Sequence, residues 1–197
     1  MTRSELFLTL KLSYRSSGAA SLTTVDIATL DIRIAVPDDA AALAGTTRLG
    51  FESYRDWAPA GWRPPPHSLE IRSIRERLRA DTTWCAMALD ADGEPAGHVG
   101  ITHANERERP HVRLERRAHL WMLFVRPRWW GSGLAARLHT LGLEEAARQG
   151  YETIRLYTPY GAARARAFYA REGWEPAGRA FAEPLLGLDL VEYRREL

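Results

Sequence analysis

Along this 197-residue chain the hydrophobic pattern changes period most clearly between His119 and Gln149. Leu120, Trp121, Met122, Leu123, Phe124 and Val125 form a continuous apolar run, too short for an ordinary helix and rich in aromatic and branched side chains. Such a run predicts a buried strand. Arg126, Pro127, Arg128, Trp129, Trp130, Gly131, Ser132 and Gly133 break the pattern, and Leu134, Leu138 and Leu141 restart it at helical spacing. Glu144 and Glu145 fall outside, and Arg148 before Gly150 supplies a terminal cation and a glycine stop. The predicted unit is strand, glycine turn, helix.

The other elements follow from the same reading. Residues 31–36 form a strand, and Asp38 or Asp39 caps a helix running to about Tyr54. Proline and glycine in 57–66 end it, and a second helix follows with Ser68 as cap and Ile71, Ile74 and Leu78 on one face. Residues 83–89 and 96–103 make a hairpin across Asp92-Gly93. The charge-dense stretch 105–117 predicts an exposed loop. Further on, 151–158 is a strand, 163–172 a helix and 188–193 a last strand. Leu6, Leu8, Leu10, Leu12 and Tyr14 alternate like a strand, while Lys11 and Glu5 argue against a signal peptide. Residues 1–28 are expected to be an extension outside a domain spanning 29–197. The predicted fold is α/β: one mixed central sheet of about six or seven strands, helices on both faces.

Composition narrows the function. A net charge of +2 demands no polyanionic partner, and arginine supplies 26 of the 27 cationic side chains, Lys11 being the exception. Arg72, Arg75 and Arg79 share a helix face, but Glu70 and Glu76 break up the charge and no aromatics interleave, so nucleic acid binding is not expected. Cys85 stands alone, and His98, His103, His111 and His119 lack zinc-ligand spacing, so neither a disulfide nor a metal is expected. No apolar run approaches membrane-spanning length. The chain reads as cytoplasmic.

A glycine turn at a helix start presents unpaired N–H groups at the positive end of the helix dipole. Phosphate is one occupant; an ordinary strand-to-helix turn is the other reading. Gly131 to Ala136 fits the dinucleotide pattern G-x-G-x-x-A, but the next strand ends Leu156-Tyr157-Thr158 with no carboxylate for a ribose, and some 60 residues are too few for the rest of that fold. No Gly-Lys-Ser/Thr is present for a Walker loop.

Arg128-Trp129-Trp130-Gly131-Ser132-Gly133 also matches Arg/Gln-x-x-Gly-x-Gly/Ala, and here it resembles the coenzyme A pyrophosphate loop of the GNAT superfamily of N-acetyltransferases. Residues 151–158 resemble that family's fifth strand. Residues 163–172, with Phe168-Tyr169 before Gly173-Trp174, resemble its last helix, and 29–36 its opening strand.

The resemblance implies an acetyl-CoA-dependent N-acetyltransferase, with the acceptor a primary amine of a small molecule or peptide and transfer direct, in a ternary complex. It implies that the fourth and fifth strands splay apart, that the backbone of Leu123, Phe124 and Val125 pairs with the pantetheine arm, and that residues from Arg128 to Leu134 hold the diphosphate. Tyr169 takes the place of the general acid, with core packing as its other reading. His119 stands where many relatives carry a basic Glu; a hydrogen-bonded strand-edge histidine is the alternative, and His103 and Glu115 are further candidates. Ala162 replaces an Asn that often contacts pantetheine, which leaves room for a non-catalytic acyl-CoA-binding regulatory module. Tyr54, Trp57 and Trp62 line the acceptor end or pack beneath a loop. A homodimer, common among relatives, stays open. Cys85 sits in no activated-nucleophile motif, so no covalent intermediate is expected.

Overall fold

The computed structural model describes residues 27–197. The alternating stretch from Leu6 to Tyr14 and the linker after it lie outside the described residues. Seven strands form one sheet: β1 (Asp31–Ile34), β2 (Trp84–Leu89), β3 (Pro95–Asn105), β4 (Arg113–Val125), β5 (Thr153–Pro159), β6 (Glu175–Glu183) and β7 (Leu188–Glu196). Their order is β1-β2-β3-β4-β5-β7-β6, antiparallel throughout except between β4 and β5. Helices α1 (Ala40–Glu52) and α2 (His67–Leu78) cover one face, α3 (Leu134–Arg148) and α4 (Ala163–Arg171) the other. Among the described residues no helix is long and apolar enough to cross a membrane.

Two cores result. Leu120, Ile154 and Leu156 meet Leu134, Leu138 and Trp174 on the α3/α4 face. Cys85, Met87 and Met122 meet Leu43, Ala44 and Ile74 on the other. Strand β3 is buried on both sides, which is why its sequence reads as apolar rather than alternating.

Several expectations are corrected. The stretch 105–117 is a loop only in its middle: β3 runs to Asn105 and β4 starts at Arg113, so the turn between them is 106–112. Charges are tolerated there because Arg113, Glu115 and Arg116 face solvent while Arg117 pairs in register with Thr153 of β5. Strand β6 was not anticipated. It is an edge strand, where Pro176 deprives no ladder of a donor, and Gly178 (φ +79°) lies in the irregular interval between Ala177 and Phe181. Helix α1 stops at Glu52 and tightens into a 3-10 turn over Ser53–Asp56. Helix α2 starts at His67, after Pro66, rather than behind Ser68. Asp39 stands at the cap position of α1, but its carboxylate turns back to the Arg33 guanidinium and the Val36 N–H.

Two imidazoles sit inside the cores. His98 is fully buried with Nε2 3.4 Å from Thr47 Oγ1, and burial pushes its pKa down to about 3. His139, held at about 4 by burial and the charge of Arg195, accepts a 2.8 Å hydrogen bond from Trp174 Nε1, so its proton is on Nδ1. Below the ordinary value of 6.5 the unfolded chain binds protons that the folded chain refuses, so stability falls as pH falls. The slope is about 1.4 kcal/mol per pH unit for each imidazole. Denaturant midpoints should therefore be flat just above neutrality and drop steadily between about pH 6.5 and 4.5. A His98→Gln variant should show a shallower drop, whatever its absolute stability.

Candidate active site

Strands β4 and β5 pair over four residues only, from Arg117–Thr153 to Leu120–Leu156. Beyond that point Tyr157, Thr158 and Pro159 pair with β7 alone, and Met122 to Val125 with β3 alone. A wedge-shaped gap opens between them. The divergence starts at a bulge: Ile101 pairs with Leu120 and Gly100 with Met122, leaving Trp121 as the extra residue. Gly100 permits this, since a Cβ there would meet the Trp121 indole at 2.6 Å.

Ladder alternation decides which backbone groups face the gap. Arg126 N–H donates to Ala96 on β3 (2.9 Å), so Phe124 also points toward β3, whereas the N–H and C=O of Leu123 and Val125 point toward the opening. Trp130 Nε1 already donates to the Val125 carbonyl (2.8 Å). The remaining groups of this edge are the kind that a strand-like guest satisfies.

At the wide end the chain turns through a 3-10 segment, Pro127–Trp129, into α3. Gly131 (φ +83°) and Gly133 (φ +90°) both hold left-handed conformations. Ser132 Oγ donates to the Trp129 carbonyl (2.7 Å) and accepts from the Leu134 N–H (3.3 Å). The N–H groups of Gly131, Gly133, Ala135 and Ala136 have no partner among the described residues, which makes a positive nest at the helix start. Trp129 and Leu134 are core residues, 6% and 0% exposed, so they hold the loop by packing. Arg128 is engaged with Asp90 of the β2–β3 turn. Arg164, which the sequence did not single out, lays its guanidinium 4.0 Å from the exposed Trp130 ring and so bridges the loop to α4.

Tyr169 and Tyr54 approach from opposite faces of the sheet. Tyr169 is 8% exposed and packs against Phe168, Trp174 and Tyr193; burial, with the Tyr54 phenol in electrostatic range, raises its pKa. Burial raises that of Tyr54 too. His119 lies opposite Arg155 in the β4–β5 register, its ring 5.3 Å from that of Tyr157 and its Nδ1 buried without a partner. Burial of the ring, reinforced by the charges of Arg155 and Arg77, presses its pKa to about 3. Ala162 is 5% exposed at the start of α4, and its N–H donates to the Pro159 carbonyl (3.0 Å).

Of the three aromatics expected near the acceptor, Trp57 lines a cavity of about 360 Å³ with Pro59, Tyr160, Gly161, Glu183 and Asp189. Tyr54 packs against Phe51, Trp57 and Trp62. Trp62 instead donates from Nε1 to the Leu186 carbonyl (2.8 Å), tying the α1–α2 segment to the β6–β7 turn.

A seven-stranded mixed sheet opened between its one parallel pair, with a glycine nest at the start of the next helix, defines the α/β class of the fold. The acetyltransferase (GNAT) family model matches residues 49–174, and the chain belongs to that family. Its fold is similar to an acetyltransferase of the GNAT family from Staphylococcus aureus (14% identity, 85% of this chain and 98% of that one, TM-score 0.64). It is also similar to an acetyltransferase from Thermus thermophilus (22% identity, 87% and 99%, TM-score 0.60). A third is the PaiA N-acetyltransferase from Thermoplasma acidophilum in complex with coenzyme A (15% identity, 85% and 99%, TM-score 0.59). No curated protein matches its sequence.

Gly133 tests the nest. A side chain there is forced into the left-handed region at a cost of about 1–2 kcal/mol. Gly133→Val should therefore weaken coenzyme A binding by about tenfold or more in calorimetric titration, with the circular dichroism spectrum retained.

Proposed function

We propose that the protein moves an acetyl group from acetyl-CoA to a primary amine, directly, within a ternary complex. The observation that carries this reading is the open β4–β5 edge meeting the glycine nest. One supplies free backbone partners for an amide-bearing arm, the other free donors for a diphosphate. Acetyl-CoA would supply an activated thioester. In the reaction the new N–C bond replaces the C–S bond, the amine loses a proton, and the departing thiolate gains one.

The chain's own groups divide that work. The N–H groups of Gly131, Gly133, Ala135 and Ala136 hold the diphosphate, and Arg164 stands beside it. The Leu123 and Val125 edge orients the arm, and a backbone N–H there stabilises charge developing on the carbonyl oxygen. Tyr169 is protonated throughout the physiological range and donates as the C–S bond breaks, burial having made it a weaker acid than a free phenol. His119 is neutral at physiological pH, as a base must be, but its low basicity suits it to passing a proton on rather than storing one. Cys85 has no part: it is 1% exposed, with its thiol pushed up to about 12.

Thiol release from acetyl-CoA, measured over a broad amine panel, tests the activity; no release with any amine ends this reading. Tyr169→Phe should lower kcat by about 10²-fold, within the range of general acid catalysis, and leave coenzyme A affinity near the wild-type value. Because His119 does not titrate near neutrality, kcat/KM should rise with the free-amine fraction and show no inflection near pH 6.5. An inflection there, lost in His119→Gln, would assign the histidine an ordinary storage role.

A further inference from the structure

The α1/α2 face of the sheet leaves β5, β7 and β6 without a covering helix, and a second cavity of about 380 Å³ lies there. Five arginines border it: Arg107, Arg117, Arg155, Arg179 and Arg194. Three glutamates do as well, but each is already engaged, Glu106 by Arg109, Glu108 by Arg107 and Glu192 by Arg194. Among the described residues, Arg117, Arg155 and Arg179 have no carboxylate within 4.0 Å.

Arg155 is the unusual one. It is only 7% exposed, donates to the Asn105 carbonyl, lies 4.9 Å from the Tyr157 ring centre, and leaves Nε buried without a partner. Glu192 acts on it only through space, and a buried guanidinium with no carboxylate in contact is costly; such groups persist where a ligand completes them. Tyr157, two residues on, is the first residue of β5 beyond its pairing with β4. Its hydroxyl is also buried and unpartnered, and its ring faces His119. The cavity thus adjoins the apex of the gap, with about 7 Å of strand between the two positions.

We infer that this cavity receives a carboxylate of the acceptor, held by Arg155 with Arg117 beside it, so that the acceptor is an amine that also bears an acid group, such as an amino acid. The inference deepens the acetyl-transfer reading and rests on it. The carboxylate supplies the direct ion pair that Arg155 lacks, and the spacing sets the amine toward the gap.

The full-length protein and acetyl-CoA are assayed by thiol release against amino acids and their carboxamides, with rates expressed per free amine. The acid should exceed its carboxamide in kcat/KM by about tenfold or more, the scale of a hydrogen-bonded charge pair. Arg155→Gln should bring that ratio toward one, Arg155→Lys should restore part of it, and coenzyme A affinity should hold in both. A second readout needs no turnover: at fixed ionic strength succinate, but not succinamide, should raise the melting temperature of the wild type and fail to do so in Arg117→Gln. Turnover indifferent to the acid group, or equal shifts from diacid and diamide, overturns the inference. A shift selective for succinate with no thiol release from any amine keeps the anion site and sinks acetyl transfer instead.

Discussion

Everything at the candidate site depends on one failure of pairing. Four residues of β4 and β5 form a parallel ladder, and then the two strands part while each stays bound to its other neighbour. In a sheet covered by helices, an unpaired edge exposes donors and acceptors that water or a guest has to satisfy. The divergence is built in locally. Trp121 is an extra residue opposite β3, and its indole needs the space that Gly100 leaves by having no side chain. Tight packing continues on either side: a Cβ at Gly50 would meet the Phe124 ring at 2.6 Å, and one at Gly161 the Trp57 ring at 2.5 Å. The gap is held open by well-packed aromatic walls rather than by loose structure.

Much of this was legible in the sequence because it rests on local chemistry. The run from Leu120 to Val125, the two glycines, the leucine spacing and the Arg148–Gly150 ending each have a short-range cause, and each appears where expected. What was not legible depends on partners distant in sequence. Residues 113–117 look like a solvated loop because they are charged, yet β3 and β5 draw them into the sheet. Edge strand β6 carries proline and glycine that would argue against a central strand. Arg128 sits where the loop pattern places a phosphate ligand, and its contact with Asp90, 38 residues earlier, could not be read from the sequence. Arg155 had a faint signal: a lone cation at the same parity as Tyr157 within an otherwise apolar strand. Parity alone says which face it shares, not that a cavity lies there.

The buried ionisable groups sort by what surrounds them. His98 and His139 have neutral partners, Thr47 and Trp174, and serve the cores as polar packing groups. Arg155 and His119 lie side by side across β4 and β5, and Arg155 borders an open cavity rather than a closed core. Desolvation acts on both sets alike, so a displaced pKa by itself does not separate structure from function. Location does: all four groups keep one buried nitrogen without a partner, but the two histidines are enclosed in the cores whereas Arg155 opens on a cavity.

On the proposed reading, the two faces of the sheet have separate duties. The coenzyme loop belongs to α3, and Tyr169 descends from α4 on that side; Tyr54, Trp57 and the arginine cavity belong to the other. A sheet is a barrier to side chains, so donor and acceptor can meet only where its ladder is broken. That geometry explains why the acceptor end can vary in chemistry while the coenzyme end relies on backbone groups: the former is lined by side chains of the segment between α1 and α2, the β3–β4 turn and strands β5, β6 and β7, the latter by amides that any sequence with the two glycines provides. It also favours direct transfer. With both reactants brought to one opening from opposite sides, and the only cysteine of the chain sealed in the α1/α2 core, no thiol is placed to carry the acetyl group between them.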